Sequence, residues 1–151
     1  MSGFIQVSGF IPWNKVDTWL KGFRSVWLST TRPDARPHAV PVWYWWDGEN
    51  IYFAANGYSQ KDKNLAKRPA IVVHAGDGDD VIILEGSVEV VTDAQERRQV
   101  NQDYMEKYVD PHSGAKASIP ESDYLYRVNV ERVMCWEYGV VGTRTEWKTI
   151  D

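Results

Sequence analysis

The chain has 151 residues but only one cysteine and three histidines. A single cysteine excludes an internal disulfide. Cys135 lies in the apolar run ERVMCWEY, which favours a buried side chain over a reactive thiol. The histidines are far apart in the sequence and lack the spacing of metal ligands. We therefore expect neither a metal site nor a cysteine nucleophile.

Long apolar runs and an excess of positive charge are absent as well. No run reaches the length of a membrane span, and the first residues lack the basic start and unbroken apolar stretch of a signal peptide. The formal net charge of -4 argues against an electrostatic nucleic-acid or membrane surface. These absences predict a cytoplasmic protein whose partners are neither nucleic acids nor membranes.

Apolar and aromatic side chains, in contrast, are plentiful. Hydrophobic residues make up 43% of the chain and aromatic residues 13%, including eight tryptophans. This composition supports one sizeable core in a chain of this length. We predict a single domain over residues 1–151.

Runs of β-branched and aromatic residues predict a mainly β fold. We expect seven strands, over residues 24–31, 38–46, 51–55, 70–76, 80–91, 124–138 and the final run TRTEWKTI. Asp47-Gly48 marks a hairpin, and Gly86 marks a bend in a long strand. Helical spacing predicts helices in PWNKVDTWLKGF and over residues 93–108, and a further short helix is expected after Ser59 in NGYSQKDKNLAKRP. Six or seven antiparallel strands with two or three peripheral helices most naturally close into a small barrel.

The run VWYWW has aromatic side chains on both faces of its predicted strand. Successive strand residues point to opposite sides, so Trp43 and Trp45 share one face while Tyr44 and Trp46 share the other. One face can be core, and the other needs an interface, a helix or a planar ligand; core packing alone is the alternative. Pro41 cannot donate to a strand ladder, which places it at an edge, at a bulge or beside a ligand.

The stretch NGYSQKDKNLAKRP contains a helix start with an unusual number of cations. Ser59 is an N-cap candidate with Asp62 three residues on. The free amides of the first helical turn carry partial positive charge, to which Lys61 and Lys63 add full charges. This combination predicts an anion site, most naturally for phosphate. A solvated helix start without a ligand is the alternative.

The order of residues 24 to 92, from WLSTTRPDARPHAVPVWYWW through NGYSQKDKNLAKRP to LEGSVEVV, resembles the pyridoxamine 5'-phosphate oxidase-like split barrels. The resemblance implies an antiparallel split β-barrel, a homodimer with cofactor at the subunit interface, and binding of FMN or the related deazaflavin. The strand matching His38 to Trp43 would lie along the cofactor ring, and the segment matching Ser59 to Lys61 would hold the phosphate. The cofactor-binding residues implied are His38, Val40, Pro41, Val42, Trp43, Ala55, Ser59, Gln60, Lys61 and Asn64.

Two departures from the family pattern argue against vitamin B6 oxidation. Pyridoxamine phosphate oxidases proper carry an arginine immediately before the phosphate lysine, whereas this chain has Gln60. They also end in a basic substrate-binding segment, where this chain offers only Arg144 and Lys148. The resemblance therefore implies an oxidoreductase of another specificity.

The cofactor implied is the deazaflavin coenzyme F420, with FMN as the alternative. The string SQKDKNL, followed by RP and later LEG, looks more like the deazaflavin-dependent branch of the family. A run of spaced cations suits the longer tail of that cofactor, which contains a phosphate and ends in carboxylates. The cations are Lys61, Lys63, Lys67 and Arg68.

The function predicted is hydride transfer between the bound cofactor and a small planar or apolar substrate. Because the cofactor carries this chemistry, no catalytic side chain is assigned. The alternative is a non-enzymatic flavin- or haem-binding protein for storage, sensing or transport, which would need the same cofactor-binding residues. A cofactor-free interaction module is the third possibility, and it would leave the helix start as solvated surface.

Overall fold

The computed structural model describes residues 3–138 and 144–150. This part contains nine strands and three helices. In chain order they are β1 Phe4–Ser8, α1 Trp13–Gly22, β2 Val26–Thr31, β3 Pro37–Val42, β4 Trp45–Trp46, β5 Ile51–Ala55, α2 Gln60–Lys67, β6 Ala70–Gly76, β7 Val81–Val90, α3 Ala94–Lys107, β8 Tyr124–Trp136 and β9 Thr145–Thr149.

The strand count differs from the prediction in two places. β1 was not predicted, and the strand predicted over residues 38–46 divides into β3 and β4. The division falls at Trp43 and Tyr44, where the Tyr44 amide donates to the hydroxyl of Tyr108 at 3.0 Å. That hydroxyl in turn donates to the backbone oxygen of Arg24 at 2.7 Å. The Tyr108 side chain, at the end of α3, thus accepts the Tyr44 amide, which in a continuous strand would bond to a neighbouring strand.

All strand pairs are antiparallel, as predicted, and the sheet is organised around β8. The strand order is β1-β9-β8-β7-β6-β2-β3. One edge of β8 pairs with β7 over ten residue pairs. Its other edge pairs first with β5, through Tyr124 to Val128, and then with β9, through Arg132 to Cys135. One long strand therefore belongs to two branches of the sheet, which enclose the core between them.

Both predicted turn features are confirmed. Trp46 pairs with Ile51, and the Asp47 carboxylate accepts the backbone amides of Glu49 and Asn50 at 2.8 and 2.7 Å. The β7–β8 register shifts next to Gly86. A Cβ atom at that glycine would lie 2.2 Å from a backbone oxygen of the facing strand, so only glycine fits there.

Tyr44 and Trp46 share the core side of the aromatic run, as predicted. Tyr44 and Trp46 are fully buried in the main core, while Trp43 is 40% exposed and Trp45 packs on a smaller second cluster. Cys135 is buried, and burial raises the pKa of its thiol to about 12, which leaves it unreactive at neutral pH. None of the described helices combines the length and apolar character needed to cross a membrane.

Candidate cofactor-binding site

Ser59 caps α2 through a reciprocal pair of hydrogen bonds. The Asp62 amide donates to the Ser59 hydroxyl at 3.3 Å, and the Ser59 amide donates to the Asp62 carboxylate at 3.0 Å. Ser and Asp at this spacing form a capping box, because each side chain satisfies a backbone amide that the helix leaves free. The N-cap predicted from the sequence is confirmed.

The Asp62 carboxylate holds the helix start in place. It is buried, and it also accepts the Gly57 amide at 3.0 Å, the Ser59 hydroxyl at 2.6 Å and the Tyr126 hydroxyl at 2.6 Å. Burial alone would raise the pKa of Asp62, but these hydrogen bonds outweigh it and lower the pKa below its usual value. The Ser59 hydroxyl would have to leave Asp62 in order to contact a ligand.

Asn64 joins the start of α2 to the neighbouring strand β2. It is fully buried, and its amide donates to the Thr30 hydroxyl at 2.9 Å. The Gln60 side chain donates to the Asn64 side-chain oxygen at 2.8 Å. The bond to Thr30 ties α2 to β2, and the bond from Gln60 joins two residues within α2. Asn64 therefore has no surface open to a ligand in this arrangement.

The charges of Arg32, in the β2–β3 turn, and of Lys61, at the start of α2, both act on His38 in β3. Burial, and then the positive charges of Arg32 and Lys61, hold the pKa of His38 below its usual value. The His38 Nδ1 atom is buried and has no hydrogen-bond partner among the residues that the structure describes. Lys61 is half-buried. Mutual repulsion of this kind marks a place where an anion would be stabilised.

Arg32 was not among the residues predicted from the sequence. It follows β2 in the turn to β3, where Thr30 pairs with His38 and Thr31 with Pro37. The hairpin register therefore brings residues 32 and 38 to the same end of the sheet. The turn residues of RPDARP indicate that the two strands pair as a hairpin. The approach of α2 to this hairpin was not predicted.

β3, which carries His38 near its first end, supplies an open strand edge. It pairs with β2 on one side, and no strand within the described ranges pairs with its other side. His38, Val40 and Val42 share the half-buried face, whereas Pro41 is exposed on the opposite face. The edge position of Pro41 agrees with its missing amide. From His38 to Trp43 an extended backbone covers about 16 Å.

An aromatic stack lies at the far end of β3. The exposed ring of Trp43 lies parallel to that of Tyr108, with centroids 4.5 Å apart. The Arg24 guanidinium is 4.8 Å from the centroid of Trp43. Arg24 and Tyr108 were not predicted as site residues, because residues 24, 43 and 108 are brought together only by folding.

The remaining predicted residues lie elsewhere. Ala55 ends β5 in the core and is 5% exposed. Lys63 lines a different cleft, beside Tyr124 and Val88, and the Arg68 guanidinium lies 3.5 Å from the backbone oxygen of Pro33. Lys63 is therefore separated from Lys61, whose charge acts on His38. Arg68, in contrast, reaches the β2–β3 turn that also carries Arg32. Across the described ranges, no group of three or more potential metal ligands is found.

Comparison with known proteins identifies the family. Residues 13–137 match the family model described as pyridoxamine 5'-phosphate oxidase. This is most of the chain, and the chain therefore belongs to that family. A comparison with curated proteins gave no match.

Several solved structures share the fold. The conserved hypothetical protein Rv2991 from Mycobacterium tuberculosis has a TM-score of 0.72 at 22% identity, over 87% of this chain and 88% of its own. A protein titled F420 reductase has a TM-score of 0.59 at 24% identity, over 78% and 94%. A heme-binding protein from Mycobacterium smegmatis has a TM-score of 0.65 at 17% identity, over 94% and 60%. At these identities the similarity establishes the split-barrel fold and not the activity.

Proposed function

We propose that the protein is an oxidoreductase that binds coenzyme F420, or alternatively FMN, and transfers a hydride between that cofactor and a small planar or apolar substrate. The observation that carries the proposal is the cluster of two cations, Arg32 and Lys61, that act on the imidazole of His38 at one end of the open edge of β3. An anionic tail held by this cluster would direct the cofactor along β3 towards Trp43. Family membership and the similarity to the F420 reductase support the same assignment.

Within this proposal the chain's own residues bind and orient the cofactor. Arg32 and Lys61 would neutralise the phosphate, since charge-assisted hydrogen bonds to phosphate are short and strong. The β3 backbone and the ring of Trp43 would fix the ring system, and the bound cofactor would supply hydride transfer. Gln60 bonds to Asn64 and offers no charged fork, which is the reason for preferring the deazaflavin over FMN.

A homodimer with the cofactor at the subunit interface belongs to the same proposal. The register places Trp27, Pro41, His74 and Ile83 on one outer face of the sheet, because directly paired residues share a face. Trp27 is 46% exposed, and this apolar sheet face is the surface on which a second copy would pack.

The test begins with the visible spectrum of the purified protein and continues with fluorescence titration of F420 and FMN. The variant Lys61→Ala should weaken cofactor binding roughly tenfold or more, which corresponds to about 1.5 to 3 kcal/mol for a charge-assisted bond. Lys63→Ala on the exposed side of the same helix is the matched control and should bind normally. Equal affinities for Lys61→Ala and the unmutated chain would contradict the phosphate assignment. Tighter binding of FMN would contradict only the preference for F420, and a haem spectrum would favour the non-enzymatic alternative.

A further inference from the structure

A cleft of about 510 Å³ lies between the end of α1, the start of β2 and the turn that joins β6 to β7. Three aromatic side chains, those of Trp19, Phe23 and Trp27, line it. Trp27 also belongs to the sheet face of the proposed dimer, so the cleft borders that interface. Aromatic walls with a few charged groups are typical of sites for small planar molecules, and Arg24 is the one cation among the described residues that line the cleft.

Arg24 is available to a ligand. No hydrogen bond or salt bridge joins its guanidinium to the residues that the structure describes, and its contacts are with the rings of Trp43 and Tyr108. Its backbone oxygen accepts the Tyr108 hydroxyl at 2.7 Å, which fixes the main chain at this point. A guanidinium is planar, and its paired N–H groups match the geometry of a carboxylate.

The rim of the cleft limits how much negative charge it can accept. Asp77 and Asp80 line the same cleft. Hydrogen bonds donated by the backbone amides of Asp80 and Asp79 hold the pKa of the Asp77 carboxylate below its usual value, so it stays charged at neutral pH. A ligand with a second negative charge would be repelled by these two groups, whereas one carboxylate can be paired with Arg24.

We propose that this cleft binds planar aromatic monocarboxylates, with the ring between the aromatic walls and the carboxylate on Arg24. Because Arg24 contacts Trp43 at the end of β3, such an acid is the substrate class of the proposed oxidoreductase. The assignment as substrate depends on the proposed function; the binding site itself does not.

Isothermal titration calorimetry on the full chain tests the site with three probes: 2-naphthoate, neutral 2-naphthamide and naphthalene-2,6-dicarboxylate. We expect 2-naphthoate to bind at least about tenfold more tightly than either of the others, since a charge-assisted pair is gained without rim repulsion. Arg24→Gln should remove the preference over the amide. Arg98→Gln, an exposed arginine on α3 outside the cleft, should keep it. Asp80→Asn should reduce the penalty for the dicarboxylate.

Three results would overturn the proposal: no binding of 2-naphthoate, equal binding of acid and amide, or an unchanged preference in Arg24→Gln. Arg24→Lys keeps the charge but loses the planar fork, so an intermediate preference in that variant separates recognition from misfolding. Displacement of 2-naphthoate by F420 or FMN would assign the cleft to the cofactor and overturn the substrate class. Cofactor binding without binding of the acid would overturn this proposal alone, whereas acid binding without cofactor binding would overturn only the proposed function.

Discussion

The imidazole of His38 has two cations, Arg32 and Lys61, as its charged neighbours. Burial and these charges lower its pKa, so the ring is held neutral in conditions where an isolated histidine begins to protonate. An anion bound beside it would offset the repulsion and favour the imidazolium. The pKa of His38 therefore has to be higher in the bound state than in the free state, and binding takes up a proton.

This linkage predicts a pH dependence for anion binding. Sulfate, whose charge is constant between pH 5 and 8, should bind more tightly as the pH falls through the His38 range. One linked proton allows at most about a tenfold gain per pH unit. The affinity of His38→Asn for sulfate should vary much less with pH over the same interval. Calorimetric titrations at several pH values measure this, and an identical pH dependence in both proteins would exclude His38 as the linked group.

The start of α2 depends on Asp62, whose carboxylate accepts hydrogen bonds from three neighbouring residues, Gly57, Ser59 and Tyr126. Asp62→Asn leaves fewer acceptors for these buried donors, and we expect a loss of about 1 to 3 kcal/mol in the free energy of unfolding. Folding lowers the pKa of Asp62. The stability that its charge contributes is therefore present above the unfolded pKa and is lost as the pH falls through the folded pKa.

Urea denaturation at neutral and at acidic pH measures both parts of that prediction. The difference in unfolding free energy between the unmutated chain and Asp62→Asn should become smaller as the pH falls. Tyr126→Phe removes one donor and leaves the capping box, so its loss should be smaller. A difference that stays constant from neutral to strongly acidic pH would show that the Asp62 charge does not stabilise the helix start.

β7 bends where Gly86 approaches the backbone of β8. Gly86→Ala introduces a Cβ 2.2 Å from the Asn129 oxygen, so one of the two strands has to move. We expect a loss of roughly 1 to 3 kcal/mol or more, as for other overpacked sites. Gly22→Ala at the end of α1 meets nothing within 4 Å and should change stability little. Thermal melting of both variants makes the comparison, and equal melting temperatures would contradict the bulge argument.

For the molecule as a whole, we predict a homodimer that packs through the outer sheet face of Trp27 and Ile83. Light scattering at micromolar concentration with cofactor present should return twice the 17.4 kDa of one chain. Ile83→Glu places a charge in this face and should shift the mass towards the monomer. Phe10→Glu is the control, since Phe10 is 59% exposed in a loop. A monomer mass for the unmutated chain would rule the dimer out.

The local elements of this protein follow from its sequence, because short-range rules decide them. Period-two alternation placed Tyr44 and Trp46 in the core, Asp47-Gly48 marked the hairpin, and Ser59 marked a helix start. Each of these features depends on residues close together in the chain. Strand sterics, turn conformation and capping act within a few residues, so the sequence displays them directly.

Which side chains meet across the sheet was decided only by the tertiary structure. Arg32 and Lys61 both act on His38 because the β2–β3 register and the docking of α2 through Asn64 coincide. Arg24 lies on Trp43 because Tyr108, from the end of α3, interrupts the strand there. Such neighbours are separated by tens of residues and depend on the packing of whole elements. Periodicity, which describes one element at a time, carries no information about which elements will be adjacent.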